Sequence, residues 1–194
     1  MGAGVIPFVV HQQQVKFLFQ KVFSGRKAGH LIDFGGGLNK GETQQQTAVR
    51  EFIEETETMF FAENLEDMKV ARKSSIRVAR QLPVVTKLFD NTLHQYPHWK
   101  CVREPGNKIP PKNWITFFIE FEYQDLCIMN QQWKMDTEQE ARFSKRRELH
   151  WIDADRLLTI YKYYPEKLWK RVRQLINART VINSIKQEKL ALRI

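Results

Sequence analysis

Cysteine is scarce in this chain of 194 residues, with Cys101 and Cys127 the only two. Two thiols make no disulfide framework and form no CxxC pair for a structural metal, so a reducing, cytoplasmic setting is the simplest expectation. Long apolar runs are missing too; none approaches the ~20 residues that a membrane helix needs. The N-terminus, MGAGVIPFVV, has neither the basic start nor the small-residue cleavage site of a signal peptide. Ile6 stands where a myristoylation signal on Gly2 would want Ser or Thr. Repeats, low-complexity tracts and linkers are not evident, and the length fits one domain over residues 1–194. Acid is in deficit: 22 Asp and Glu against 31 Lys and Arg give a net charge of +9 and a pI near 9.6. That balance attracts nucleotides, nucleic acids or polyphosphates, or else it serves solubility alone. A hydrophobic content of 42% with 12% aromatics excludes a disordered chain.

Acid is scarce overall, yet it is concentrated in one place, the segment GGLNKGETQQQTAVREFIEETET from Gly36 to Thr58. A helix starting near Thr43 would put Glu51, Glu54 and Glu55 at i, i+3 and i+4, on one face. Like charges so spaced are unfavourable in an isolated helix. A hard cation removes the conflict, because Mg²⁺ and Mn²⁺ prefer carboxylate, carbonyl and water oxygens. The other face, Ala48, Val49, Phe52, Ile53 and Thr56, is suited to packing on a sheet. Ahead of the helix, Gly35-Gly36-Gly37 lets the backbone come close to a ligand or ion.

This segment resembles the Nudix box, G-x₅-E-x₇-R-E-U-x-E-E-x-G-U with U apolar, the signature of the Nudix hydrolases. Gly36, Glu42, Arg50, Glu51, Phe52, Glu54 and Glu55 fall on its positions in register, whereas Glu57 and Thr58 replace the closing glycine and apolar residue. In the family that glycine leaves the helix in a left-handed conformation. A side chain there costs ~1–2 kcal/mol, unless the helix runs on. The resemblance implies an α+β fold, a Nudix-like α/β/α sandwich with a mixed sheet between helices. It also implies a Mg²⁺-dependent hydrolase of a phosphoanhydride in a nucleoside diphosphate linked to another group, with Mn²⁺ able to stand in. Glu51, Glu54, Glu55 and the Gly35 carbonyl would hold metal, and Arg50 would orient the carboxylates. Glu42 would brace the loop or reach a metal through water. The general base would be Glu51, Glu138 or Glu140, the last two lying where family members often carry an extra carboxylate.

Hydrophobic alternation predicts strands at Val5–Val10 and Val15–Val22, joined by the turn His11–Gln14, then His30–Phe34, Trp114–Tyr123 and Glu148–Ile152. A helix is expected within Glu63–Gln81, a short one over Arg156–Tyr161, and a long one from Pro165 to about 190. Residues 59–113 form an apparent insertion, either a substrate pocket or lid near Trp99 and Trp114, or padding or a homodimer contact. Other candidates are weaker. His94, His98 and Cys101 have ligand-like spacing but no visible fourth ligand. Lys145-Arg146-Arg147 suits a solvated turn or a phosphate contact. The basic residues around Trp169 suit amphipathic packing or a nucleic-acid backbone, and Tyr161, Tyr163 and Tyr164 suit a core junction or base stacking. Markers of particular Nudix substrates are absent. The charge favours a phosphate-rich substrate, such as a dinucleoside polyphosphate, an RNA 5′ end or an inositol pyrophosphate. A catalytically weak Nudix-fold module that binds RNA or nucleotides is the alternative.

Overall fold

The structure is a computed structural model that describes residues 1–105, 113–136, 143 and 145–191. At its centre is β1 (Gly2–His11), buried without interruption from Gly2 to Val9. Burial on successive residues means that both faces of the strand are covered. β5 (Trp114–Glu120) pairs with it in parallel, while β2 (Gln14–Val22) and β3 (Phe34–Gly37) pair with it antiparallel. β4 (Lys100–Val102) extends the sheet beyond β5, and β6 (Arg147–Asp153) extends it beyond β2. The order is β4-β5-β1-β2-β6, with β3 on β1, and the sheet is therefore mixed.

Each face has its own core. One joins Val5, Leu18, Phe117 and Ile119 to Val49, Phe52 and Ile53 of α1 (Gln44–Glu55), Val85 and Phe89 of α3 (Ser75–Gln95), and Met129 and Trp133 of α4 (Leu126–Met135). The other joins Ile6, Phe8, Phe17 and Phe118 to Leu157 and Ile160 of α5 (Ala154–Tyr163) and to Ile182 and Ile185 of α7 (Ala178–Ala191). The α+β class and the sheet held between helical layers agree with the expectation from sequence.

One detail of pairing positions the site. β2 holds β1 only at Phe8 to His11, and β3 holds it at Gly2 to Val5. The chain therefore splits away from β1 midway, and β3 brings its glycines to the gap. A Cβ on Gly35 would lie 2.3 Å from the Ala3 carbonyl oxygen, so no other residue fits at this crossing.

Several expected boundaries shift. The strand predicted at His30–Phe34 is realised as β3 at Phe34–Gly37, preceded by single bridges from Leu31 to Leu168 and from Ile32 to Gln20. The helix expected within Glu63–Gln81 is two: α2 (Leu65–Lys69), capped by Asn64, and α3, capped by Ser74 and continuing through Pro83. Burial of Val78, Val85 and Phe89 outweighs the cost of a proline inside α3. The final helix is also interrupted. A 3₁₀ turn (Pro165–Lys167) and α6 (Lys170–Arg173) come first, and α7 starts only after Asn177, which is left-handed at φ 61°. Asparagine tolerates that conformation better than most residues do. α4 was not foreseen. Trp99 is fully buried between Phe8 and Tyr96, away from any lid role.

The β1–β2 turn yields a stability prediction. Gln12 and Gln13 both have positive φ, 49° and 61°, and both are exposed. A two-residue hairpin turn of this kind favours Asn-Gly. Replacing Gln12→Asn and Gln13→Gly should stabilise the fold by about 1 kcal/mol, raising Tm by roughly 2–4 °C. A fall in Tm would show that the glutamines make contacts that outweigh their strain.

Candidate active site

Thr43 starts α1 with a capping box: its hydroxyl accepts from Gln46 N, and the Gln46 side chain accepts from Thr43 N. That start fixes the phase of the helix. Ala48, Val49, Phe52 and Ile53 are buried, and Arg50, Glu51 and Glu55 face the β3 glycines, with Glu54 beside Arg50. A Cβ on Gly36 would fall 2.2 Å from Glu51 Oε1, so the glycine leaves the space that this carboxylate occupies.

Arg50 is the hub. It donates to both oxygens of Glu42 at 2.7 and 3.0 Å, to Glu51 Oε1 at 2.8 Å, to Glu54 Oε2 at 3.3 Å and to the Gly37 carbonyl at 3.1 Å. Glu42 also accepts from Asn39 N and the Thr47 hydroxyl. The Arg50 hydrogen bonds, aided by those two donors, hold the Glu42 carboxyl down at about 2. Glu51 moves the other way: burial raises its pKa, the charges of Glu55 and Glu54 add to the rise, and Arg50 opposes it.

Glu55 accepts from Gly35 N and Gln20 Nε2, each at 2.8 Å, and Arg147 Nη1 lies 3.5 Å from it. Arg147 also donates to Gln20 Oε1 and is buried, so it is neither the solvated turn nor a free phosphate contact. Lys73 Nζ, from the segment between α2 and α3, reaches Glu54 Oε2 at 2.8 Å. Arg171 lies beneath the loop. It pairs with buried Asp33, donates to the Gly35 carbonyl at 2.8 Å and stacks 4.4 Å from the Trp114 ring. Burial works against its charge, but Asp33, Glu55 and Glu51 outweigh that and its pKa is raised.

The expected residues Gly35, Gly36, Glu42, Arg50, Glu51, Glu54 and Glu55 thus come together around β3 and α1. Glu138 and Glu140 lie outside the described residues. Among the described residues, no three His, Cys, Asp or Glu side chains converge on one point, His94, His98 and Cys101 included. The α1 carboxylates are turned instead to Arg50, Lys73, Gly35 N and Gln20. As donors they still fit a hard cation: carboxylate oxygens on one helix face, and a Gly35 carbonyl with one lone pair beyond the Arg171 bond. Asp33, Gln20 and Lys73 have no spacing that marks them in the sequence, and Arg171, one of the basic residues around Trp169, is buried against Asp33 and the Gly35 carbonyl.

α1 ends without glycine. Glu57 and Thr58 are both left-handed, at φ 51° and 64°. Glu57 Oε2 accepts from Lys73 N, and Thr58 Oγ1 accepts from Arg77 Nε. The two departures from the box therefore tie the α1 exit to the segment that carries Lys73 and to the first turn of α3.

No protein-family model matches the sequence. A curated relative, uncharacterized protein L534 of Acanthamoeba polyphaga mimivirus, is 22% identical over 189 residues and covers 82% of this chain. The chain spans 58% of that protein's length. Among solved structures, an Ap4A hydrolase from C. elegans is similar at a TM-score of 0.45 and 11% identity, with 98% of this chain and 99% of that one covered. A MutT/nudix family protein from Listeria innocua scores 0.46 at 12% identity, covering 98% and 96%. NrtR from Shewanella oneidensis scores 0.45 at 13% identity, covering 99% and 64%. Scores below 0.5 leave the functional reading to the chain's own residues.

Two predictions follow from the paired charges. Arg171→Met should cost about 3–5 kcal/mol, because it leaves buried Asp33 without its partner. Adding Asp33→Asn should restore part of that loss; a double variant as unstable as the sum would refute the coupling. The second concerns acid. The Glu42 pKa is depressed in the fold, so its contribution is full above 4.5 and is lost as pH falls through about 2. Melts across that window should fall less steeply for Glu42→Gln than for wild type, and equal slopes would contradict the assignment.

Proposed function

We propose that this protein is a Nudix-type hydrolase that cleaves a phosphoanhydride in a nucleoside diphosphate linked to another group, using Mg²⁺ or Mn²⁺. The observation that carries the reading is Arg50 gripping Glu42, Glu51 and Glu54 at the edge of the Gly36 loop. A helix face this acidic has no packing purpose, and the motif that places it is specific. Glu51, Glu54, Glu55 and the Gly35 carbonyl would hold the cation. Once bound, it would supply charge neutralisation at phosphate and an acidified water.

The chain's own groups divide the remaining work. Arg50 orients the carboxylates through charge-assisted hydrogen bonds. Of the two roles open to Glu42, its bonds to Arg50, Asn39 and Thr47 favour bracing. Burial of Glu51 raises its affinity for a proton, which suits it to the base role. Lys73, more than half exposed, can leave Glu54 when a cation arrives and then face substrate phosphate.

A second reading, a binding module with little catalysis, is favoured by one feature: Arg50, Lys73 and Arg147 already neutralise the carboxylates without metal. Product analysis separates the two. Incubation with Mg²⁺ and a panel of nucleoside diphosphate derivatives and dinucleoside polyphosphates should release mononucleotide products. Glu54→Gln should lower kcat on the order of 10²-fold. Its Tm should barely move, since relief of the repulsion with Glu51 and Glu55 offsets the weakened pairs with Arg50 and Lys73. No turnover of any panel member by wild type would leave the binding module as the answer.

A further inference from the structure

Beside the carboxylates, the surface changes character. On its exposed side the connection from Tyr161 to Arg173 carries Lys162, Lys167, Lys170 and Arg173 against a single acid, Glu166. Tyr161 is core, donating its hydroxyl to the Val172 carbonyl. Tyr163 and Tyr164, by contrast, are 60% and 47% exposed, so the aromatic junction is not all core. Each exposed ring has a cation over it: Lys162 lies 4.8 Å from Tyr163, and Lys167 lies 4.6 Å from Tyr164. Trp169 comes next, with Arg26 at 5.6 Å, Lys27 at 5.8 Å and His30 edge-on.

The row ends at the candidate active site. Trp169 N donates to the Leu31 carbonyl, two residues before Asp33, and Arg171, two residues after Trp169, holds Asp33 and Gly35. Lys27 is half-buried and within electrostatic reach of Arg171, Glu55 and Asp33. Three partly or largely exposed aromatic rings, each with cations beside it, therefore lead from the α5 end to the carboxylates.

We infer that the surface formed by Tyr163, Tyr164, Trp169 and the Arg26–His30 loop binds single-stranded nucleic acid, with bases stacked on the rings and phosphates on the cations. Stacking on aromatic side chains in a basic setting suits unpaired bases, because every base offers a π-face. A duplex hides those faces. The lysines and arginines give the backbone its counter-charge, and the net +9 adds long-range attraction. The path places one end of the strand beside Glu55, so it extends the proposed hydrolase to substrates bearing a nucleic-acid chain. Binding itself does not depend on metal or turnover.

The test uses the full chain in EDTA, where a failure of the hydrolase reading cannot disturb the result. Fluorescence anisotropy with a short labelled single-stranded RNA, and with its duplex, reads affinity directly. Wild type should prefer the single strand. Tyr163→Ser with Tyr164→Ser, both exposed and safe for folding, should weaken binding by about 5- to 150-fold, the cost of one stacked base. Trp169→Phe should keep most of the affinity, and Trp169→Ala should lose it. Lys162→Gln with Lys167→Gln should flatten the salt dependence of Kd. Equal affinity for duplex and single strand, or a tyrosine variant that binds like wild type, would overturn the proposal and reduce the contact to charge alone. No binding at low salt would overturn it as well.

Discussion

Glu51, Glu54 and Glu55 stand on one face of α1 and repel one another, and much of the surrounding structure answers that repulsion. Arg50 bridges Glu42, Glu51 and Glu54 from within the helix, while Lys73 and Arg147 approach from other segments. Gly36 gives Glu51 its room, and Gly35 N holds Glu55. Such a cluster is costly for a metal-free protein, so the fold supplies fixed cations where a mobile one would otherwise be required. Under the proposed hydrolase function, the same cations would also face the phosphates of the substrate.

The sheet makes this arrangement possible. β1 gives its first half to β3 and its last residues to β2, and the gap between them delivers Gly35 and Gly36 to the helix. Arg171 secures the gap from below through Asp33, the Gly35 carbonyl and the Trp114 ring. Buried ion pairs seldom add net stability, but losing one partner is expensive. The Asp33–Arg171 pair therefore acts as a pin that fixes the position of the loop.

What the sequence made legible is the periodic and the local. The phase of α1, its Thr43 cap and the clustering of Glu42, Arg50, Glu51, Glu54 and Glu55 follow from spacing along one helix and its approach. Strands β1 and β2 follow from their apolar runs. Pairings across long separations were not legible: Arg171 with Asp33, Lys73 with Glu54 and Arg147 with Glu55 link residues whose neighbours carry no common pattern. The breaks at Asn177 and before Ser74 were also hidden, since apolar periodicity continues across both while the backbone turns. Glu57 and Thr58, the departures from the box, take the left-handed exit from α1 and tie it to Arg72 and Lys73, contacts that the motif does not mark.

On the proposed function, Glu51, Glu54 and Glu55 would form a cation site once their resident partners give way. Crystals soaked in Mn²⁺ test this most directly, because anomalous scattering locates the ion without reference to activity. An anomalous peak should appear bounded by those three carboxylates and the Gly35 carbonyl, with Lys73 withdrawn from Glu54. A peak elsewhere, or none at millimolar Mn²⁺ with Lys73 and Arg50 still seated on Glu54, would contradict it.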